Sequence, residues 1–259
     1  MSSTDRMTNI SSRETPRTGE LPDAKRDALR AFEVLKKGGV IIAPTDVGYG
    51  MMAASTDAIK RIFIAKKRKA GHSMGVIGTY NLLKRLYDVP DEKFTIVRTF
   101  TEELGLTVAF VAKIKESASE LIPNVERVVK NGTLGFAIGE GPFSRELARL
   151  NDENSLVMVG SSANLTDQGQ KFRVEDIEPE IIEAADLVVN YGRQKWHLYG
   201  RAGTILDLNY ERVLRIGANY ENVREKLTDL FGWSVPEDPD YDMVGKKTVG
   251  FSIKANSDS

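Results

Sequence analysis

The chain has 259 residues, a formal net charge of −1 and no cysteine, and these properties exclude several classes of protein. Without cysteine and with only two histidines, it lacks disulfides, a cysteine nucleophile and the usual Cys/His zinc site. A near-neutral chain is also not typical of a protein that coats nucleic acid. The composition is that of an ordinary globular protein, long enough for one large α/β domain.

The two ends of the chain are polar. Residues 1–20 predict a disordered arm and residues 235–259 a polar, weakly structured tail. The arm has no apolar segment of the kind that a secretory signal needs. Its Ser, Thr and Arg content resembles a mitochondrial transit peptide, but Asp5 and Glu14 argue against one. No apolar run approaches the ~20 residues that span a bilayer. We therefore expect a cytoplasmic protein without membrane contact, with mitochondria as the alternative location.

Residues 21–234 predict one domain in which helices and strands alternate, and its first elements have clear signals. PDAKRDALRAFEVLKKGG predicts a helix that ends at Gly38. Its apolar stripe consists of Leu29, Phe32 and Leu35. The continuous apolar run GVIIAP predicts a strand buried on both faces. STDAIKRIFIAKK then predicts a helix with a Ser-Thr-Asp start signal. Its apolar face consists of Ile59, Ile62 and Phe63.

The later segments predict a mixed sheet. Apolar runs that predict strands are LTVAFVAKI, TLGFAIG, SLVMVGS, DLVVN, AGTILDL and RVLRIGA. Helical patterns are FSRELARLN, with Ser144 as N-cap, EDIEPEIIEAA and ENVREKLTDLF. Long crossovers combined with the hairpin-like pair in GTILDLNYERVLRIG favour a twisted sheet of parallel and antiparallel strands with flanking helices.

A run of four cations follows the second helix. The run is Lys66, Lys67, Arg68 and Lys69. A helix C-terminus favours positive side chains by ~0.3–1 kcal/mol each, so a solvated charge run is one interpretation. Further cations extend the stretch: Lys60, Arg61, Lys84 and Arg85. No acidic residue occurs from 58 to 87, and this uncompensated charge favours an anionic partner, either a polyphosphate or a nucleic-acid backbone.

Two other segments place polar side chains directly after buried strands. SLVMV leads into Ser161, Ser162 and Asn164, and loops beyond strand ends are where α/β sheets bind ligands. APTDVGYG follows the first strand in the same way, with glycines that permit close backbone approach. Each segment alone is equally compatible with an ordinary polar turn. Since no Walker loop and no GxGxxG turn occurs, side chains would have to hold any phosphate.

In this order and spacing, the segments resemble the YrdC-like family of threonylcarbamoyl-adenylate synthases. The family pattern is Pro-Thr-Asp/Glu-x-x-Tyr-Gly, then Lys-x-Arg, then a distant Ser-x-Asn. Here these are PTDVGYG, KKR and SAN, and AGTILDL and RIGA are similar to the family's C-terminal strand and Arg-x-Gly. The resemblance covers about residues 25–230. It implies a twisted mixed sheet around a large, concave, positive cavity, with ATP, bicarbonate and an amino acid as substrates.

The resemblance also implies roles for individual residues. Lys66 and Arg68 would hold the triphosphate together with Mg²⁺, while Ser162 and Asn164 would orient phosphate or ribose, and no side chain is assigned to a resident metal. The expected nucleotide contacts are Thr45, Tyr49, Lys66, Arg68, His72, Ser161, Ser162, Asn164, Thr204 and Arg215. In the implied reaction an amine captures CO₂, the carbamate attacks the α-phosphorus of ATP, and the cations stabilise the developing charge.

The chain departs from the family pattern at positions of which several, in the family, serve the threonine side of the pocket. Residues of low polarity replace the family's Thr, His, Arg, Pro and Ser types at Val47, Ile77, Ala137, Gly139 and Gly203. A buried site that loses a hydrogen-bonding partner rejects the former ligand by up to ~10⁴-fold. We therefore expect a nucleotide half that is kept and an acceptor other than threonine.

Two alternatives stay open at this point. The first is a YciO-like paralogue that acts on another carbamoyl or acyl substrate. The second is a double-stranded RNA-binding module that uses the cations between residues 60 and 85.

Overall fold

The structure, a computed structural model, describes residues 23–68 and 74–240. Lys69, His72, the predicted arm at 1–20 and the tail beyond residue 240 lie outside these ranges. The helices in the described ranges are α1 (Ala24–Lys36), α2 (Thr56–Ala65), α3 (Tyr80–Leu86), α4 (Asp91–Arg98), α5 (Val125–Val128), α6 (Pro142–Glu153), α7 (Pro179–Glu183) and α8 (Tyr220–Phe231). The strands are β1 (Val40–Pro44), β2 (Tyr49–Ala53), β3 (Gly75–Ile77), β4 (Val108–Lys113), β5 (Thr133–Ala137), β6 (Val159–Ser162), β7 (Leu187–Val188), β8 (Thr204–Asp207) and β9 (Arg212–Arg215).

Helix α1 begins and ends at residues with a clear capping function. The side chain of Asp23 accepts a hydrogen bond from the N–H of Arg26, and Gly38 ends the helix with φ of 78°. The buried stripe consists of Ala28, Ala31, Phe32 and Leu35. The prediction that Leu29 belongs to this stripe is wrong, because its side chain lies 50% exposed. The two alanines replace it, since they let the helix approach its neighbours closely.

The nine described strands form one mixed sheet in the order β7-β1-β2-β6-β3-β5-β4-β8-β9. Three neighbouring pairs are parallel, namely β1 with β7, β3 with β5, and β4 with β8. The other five pairs are antiparallel, including the predicted hairpin of β8 and β9. The predicted fold class, a single α/β domain with a mixed sheet and flanking helices, is confirmed.

Several predicted boundaries are wrong. Strand β2 was not predicted, and β6 begins at Val159 rather than at the start of its apolar run. Ser144 is not the N-cap of α6, because Pro142 occupies the first turn and Gly141 the cap position. The helix predicted over 175–185 is split into a 3₁₀ turn (Val174–Asp176) and α7, since Pro179 opens a new helix.

The two faces of the sheet carry different helices. One hydrophobic cluster joins the sheet to α2, α3, α4 and α8, and it holds most of the buried side chains, including the α2 residues Ile59, Ile62 and Phe63 as predicted. The other cluster packs α1 and α6 on the opposite face, through Phe32, Leu35 and Phe143 among others. The larger cluster accounts for the stable core, and the α6 side is the face that contains a hollow.

The residues just after α8 are attached to the body of the protein. Tyr220 donates a hydrogen bond to the carbonyl of Pro236 (2.6 Å), and Arg201 pairs with Asp238 (2.6 Å) and Asp240 (2.8 Å). The described beginning of the predicted tail therefore contacts the domain. Within residues 23–68 and 74–240, no helix is both long and apolar enough to cross a bilayer.

Candidate functional site

A cavity of about 450 Å³ lies on the α6 side of the sheet. Its centre is built from three glycines, Gly160, Gly75 and Gly135, which are direct cross-strand neighbours on β6, β3 and β5. We name these three residues the glycine row. Cross-strand partners share one face of a sheet, so this face carries no side chain over three adjacent strands. The hollow exists because no side chain fills the middle of the sheet.

One end of the cavity is cationic and hydroxyl-bearing, and we name Arg68, Lys130, Ser161 and Ser162 the cationic end. The guanidinium of Arg68 donates a hydrogen bond from Nη2 to the Ser161 hydroxyl (2.8 Å) and lies over the ring of Phe63. Burial lowers the pKa of Arg68, although the group stays charged at neutral pH. Two segments that are remote in sequence thus meet at one edge of the cavity, as the resemblance implies.

Lys66 lies in the core, with 1% of its surface exposed. Its ammonium donates to the backbone carbonyls of Ser162 and Asn164, and its own carbonyl accepts from the Thr166 hydroxyl (2.8 Å). Burial, and secondarily the charge of Arg68, lower the pKa of Lys66 to about 7. The interpretation of the run as solvated is therefore wrong for Lys66. In this structure Lys66 fixes the Ser162–Asn164 turn from behind.

Two other expected contacts also act within the protein. Thr204 is fully buried, and its hydroxyl accepts the N–H of Gly217 (3.1 Å). Asn164 is 5% exposed and donates to the carbonyl of Leu165, while its Oδ1 has no hydrogen-bond partner in the described part of the chain. Neither residue lines the cavity. Their side chains shape the turn and the strand on which the lining residues sit.

The remaining expected contacts border the cavity. Thr45, Tyr49 and Arg215 line it. The hydroxyl of Thr45 donates to the carbonyl of Gly48 (2.7 Å), and Tyr49 donates its hydroxyl proton to the carbonyl of Gly192 (2.7 Å). Arg215 donates from Nε to the carbonyl of Gly203 (2.8 Å). His72 falls outside the described residues, so its predicted role stays a prediction.

The prediction omitted Asp46, which organises one wall of the cavity. Its carboxylate accepts the N–H groups of Glu140 (2.7 Å) and Gly141 (2.9 Å), and its side chain is almost fully buried. Asp46 thereby ties the loop between β1 and β2 to the start of α6. The position of Asp46 in the PTDVGYG segment was the sequence signal that could have identified it. Its capping role could not be predicted, because the helix that it caps lies about 95 residues further along the chain.

The opposite end of the cavity is apolar. The five positions that depart from the family pattern all line the cavity: Val47, Ile77, Ala137, Gly139 and Gly203. We name Ile77, Ala137, Phe143, Leu147 and Met158 the apolar end. Because β3 and β5 run parallel from the cationic end, their last residues, Ile77 and Ala137, lie two residues beyond the glycine row.

Four of the described cations outside the cavity have acidic partners, so the expectation of uncompensated charge is wrong for them. Acidic partners come from other parts of the chain, which a scan of residues 58–87 could not detect. The pairs are Lys60 with Asp57 (3.3 Å), Arg61 with Asp186 (3.0 Å), Lys67 with Glu180 (3.0 Å) and Arg85 with Asp152 (3.1 Å). Among the described cations of residues 58–87, Arg68 is the one that lines the cavity.

A family model that combines Sua5, YciO and YrdC, described as "Telomere recombination", matches residues 33–217, well over half of the chain. This chain belongs to the Sua5/YciO/YrdC family. A Methanocaldococcus jannaschii protein, provisionally named a threonylcarbamoyl-AMP synthase, is 23% identical over 194 residues, covering 72% of this chain and 84% of that protein. E. coli YciO, which is described as uncharacterized, is 25% identical over 202 residues, covering 72% of this chain and 87% of YciO.

The solved structures of family members establish the fold. Sua5 of P. abyssi superposes with a TM-score of 0.69 for a double variant (17% identity; 84% of this chain, 63% of Sua5). Its complex with L-threonine gives 0.65 (18% identity; 82% and 59%). E. coli YciO gives 0.60 (19% identity; 77% and 91%). This chain thus spans less than two thirds of Sua5 but nearly all of YciO.

Proposed function

We propose that this protein is an ATP-dependent, adenylate-forming carbamoylation enzyme. It would convert ATP, bicarbonate and an amino acid to a carbamoyl-amino-acid adenylate and pyrophosphate. The observation that carries the proposal is the contact between Arg68 and Ser161, 93 residues apart in sequence, at one end of a cavity of about 450 Å³. The provisional name of the M. jannaschii relative and the L-threonine bound to P. abyssi Sua5 support the same class of reaction.

The chemistry needs cations more than it needs a base. The amine attacks CO₂ and loses a proton, which gives a carbamate. A carbamate oxygen then bonds to the α-phosphorus of ATP while the bond to the β-phosphate oxygen breaks, so pyrophosphate leaves with the electron pair. Negative charge develops on the phosphoryl oxygens, and preplaced cations stabilise it in a site that excludes water. Arg68 and Lys130 are placed for this at the cationic end.

The remaining groups of the cationic end position the ligand. The planar fork of Arg68 suits two phosphate oxygens, and the Ser161 hydroxyl that it contacts helps to orient that fork. Lys66 acts as a positioning residue, since its ammonium holds the Ser162 and Asn164 carbonyls and so fixes the turn that carries the hydroxyls. Mg²⁺ would arrive with the triphosphate and neutralise part of its charge. Asp46 is a carboxylate in the cavity lining, but it is not assigned to the metal because both its oxygens already accept N–H groups.

Pyrophosphate release tests the proposal. The full chain is incubated with ATP, Mg²⁺, bicarbonate and each of the twenty amino acids in turn. We expect release that depends on at least one amino acid and on bicarbonate. Arg68→Ala should reduce pyrophosphate release by at least 10²-fold. Lys60→Ala, which removes an exposed cation of α2, should leave pyrophosphate release unchanged. If none of the amino acids supports pyrophosphate release, or if the two variants are equally active, the proposal is contradicted.

A YciO-like activity on a pre-formed carbamoyl or acyl substrate is the second candidate. Two observations favour it, namely the apolar lining where the family pattern has polar groups, and the coverage of nearly all of YciO. The reverse reaction separates the two. A synthase regenerates ATP from carbamoyl adenylate and pyrophosphate, whereas an enzyme of the second kind consumes a carbamoyl or acyl substrate without forming ATP.

RNA binding has little support in this structure. Four of the described cations on which that alternative rested form ion pairs with acidic side chains, and Lys66 is buried against backbone carbonyls. An RNA-binding module would show an affinity for double-stranded RNA that falls steeply with salt concentration. We expect no such affinity at physiological ionic strength.

A further inference from the structure

We propose that the apolar end of the cavity binds the side chain of the acceptor amino acid, and that this side chain is aliphatic or aromatic rather than hydroxylated. The inference rests on the proposed function, because it assumes that the triphosphate occupies the cationic end. The anionic tail of ATP needs Arg68 and Lys130, so the acceptor has the opposite end available.

The sheet presents a continuous apolar row at this end. Ile77 pairs in register with Ala137, Ala137 with Ala109, and Ala109 with Ile205, so that four strands place these side chains side by side on the cavity face. None of the four side chains can donate or accept a hydrogen bond. A ligand group lying across them is desolvated without polar compensation, which favours hydrocarbon and disfavours a hydroxyl.

The opposite wall is mostly apolar. Phe143 and Leu147 of α6 face the cavity across from that row, whereas Met158 extends the row itself, since its carbonyl accepts the N–H of Ile77 (3.0 Å). Ile77 also reaches over the glycine row, since its Cδ1 lies 2.5 Å from where a Cβ on Gly160 would stand. The apolar end is therefore enclosed by branched aliphatic, thioether and aromatic groups, of which Met158 adapts to ligands of differing shape.

Most of the polar groups that border this end are already engaged within the protein. Asp46 accepts two backbone N–H groups, and the Thr45 hydroxyl donates to a carbonyl. Thr107, two residues before Ala109 on the same face, lines the cavity, and its buried hydroxyl has no hydrogen-bond partner among the described residues.

Two further polar residues border this end. Arg215, the register partner of Ile205, and Ser144 on α6 both line the cavity. The guanidinium of Arg215 and the Thr107 hydroxyl suit the α-carboxylate that every amino acid carries. Apolar side chains otherwise dominate the lining here, so hydrocarbon gains more from burial at this end than a side-chain hydroxyl does.

The test is a comparison of kcat/KM across acceptors with the full chain. We expect L-leucine, L-methionine or L-phenylalanine to exceed L-threonine by at least about 10-fold, because one methylene in an apolar pocket changes discrimination by about 10–200-fold. Ile77→Thr, which keeps a β-branched residue in β3, should reduce this preference by about 10-fold. Leu214→Thr, at a half-exposed apolar residue of β9 outside the cavity, is the matched control and should leave the ratio unchanged. Equal or better use of threonine by the wild-type protein overturns the inference, as does an unchanged ratio in Ile77→Thr.

A second measurement separates this inference from the proposed function. If no amino acid supports pyrophosphate release, the proposed function fails, and equilibrium dialysis with radiolabelled L-leucine and L-threonine still tests the apolar end. Tighter binding of leucine, weakened by Gly135→Ala, supports the inference; the added methyl would meet only the Cα of Gly75, at 3.7 Å, so the fold tolerates it. Equal or absent binding overturns it. Displacement of leucine by adenosine would assign this end to the base of the nucleotide and overturn it as well.

Discussion

The buried position of Lys66 makes a prediction that differs from the one its sequence context favours. A cation in a charge run that only contacts ligand would be replaceable without loss of stability. Here the ammonium donates to the carbonyls of Ser162 and Asn164, and the side chain is 1% exposed. Lys66→Met removes the donor and keeps the length and most of the volume of the side chain. Two carbonyls, one buried and one partly buried, then lose this donor, although the Ser162 carbonyl keeps the N–H of Asn164.

The magnitude follows from those two carbonyls. A buried acceptor that loses its donor costs about 1–3 kcal/mol. Relief from burying the amine offsets part of the sum, so we expect the free energy of unfolding to fall by about 2–4 kcal/mol near pH 7. The matched control is Lys67→Met, since the neighbouring lysine is largely exposed and pairs with Glu180 on the surface. Loss of such a surface pair changes stability by less than about 1 kcal/mol.

The pKa of Lys66 adds a dependence on pH. Folding lowers that pKa from 10.5 to about 7, so between these values the unfolded chain binds a proton that the folded protein has released. The free energy of unfolding of the wild type, relative to Lys66→Met, therefore rises with pH by at most about 1.4 kcal/mol per pH unit. Below pH 7 this contribution is flat. The neutral amine keeps two N–H donors, which matches the two carbonyls.

Chemical denaturation of the wild type and both variants at pH 6.5, 7.5, 8.5 and 9.5 measures this effect. The difference between wild type and Lys66→Met should grow by up to about 3 kcal/mol between pH 7.5 and 9.5, while the difference from Lys67→Met stays constant. A loss no larger than that of Lys67→Met, or one independent of pH, would refute the buried clamp. Lys66 would then be a surface cation, as the sequence alone indicated.

Three further substitutions test the walls of the site. Asp46→Ala leaves the N–H groups of Glu140 and Gly141 at the start of α6 without their acceptor. We expect the free energy of unfolding, measured by urea titration, to fall by about 2–4 kcal/mol. A fall of less than about 0.5 kcal/mol, which is what a neutral surface substitution causes, would contradict this role of Asp46. Gly217→Ala should prevent stable folding, because its Cβ would stand 2.3 Å from the carbonyl carbon of Gly203; soluble protein with an unchanged Tm would show that the segments before β8 and after β9 pack differently. Tyr87→Phe removes a buried hydroxyl that lies within hydrogen-bonding distance of two strand carbonyls and can donate its one proton to either; it should cost about 1–2 kcal/mol by thermal unfolding, and an unchanged Tm would argue against this bond.

Much of the fold follows from local patterns in the sequence. The period of apolar residues and the caps specified α1, α2 and α8, and the continuous run before Pro44 specified a strand buried on both faces. These signals are local because a helix or strand is made of neighbouring residues. Strand β2 was not predicted because all of Tyr49–Ala53 is buried, so the segment shows no alternation of apolar and polar residues. The order of the nine described strands depends on pairings between remote segments, which no local pattern specifies.

Some features of the candidate site could likewise be predicted from local sequence, and others depend on the tertiary structure. Local sequence already placed hydroxyls after a buried strand and a cation pair after a helix, because both depend on adjacent residues. The tertiary structure alone decided that Arg68 lines the cavity while Lys66 supports the turn behind it, since burial depends on what packs against each side chain. It also brought Gly75, Gly135 and Gly160 into one row. Strand register, set by packing over the whole sheet, turned three separate glycines into a cavity.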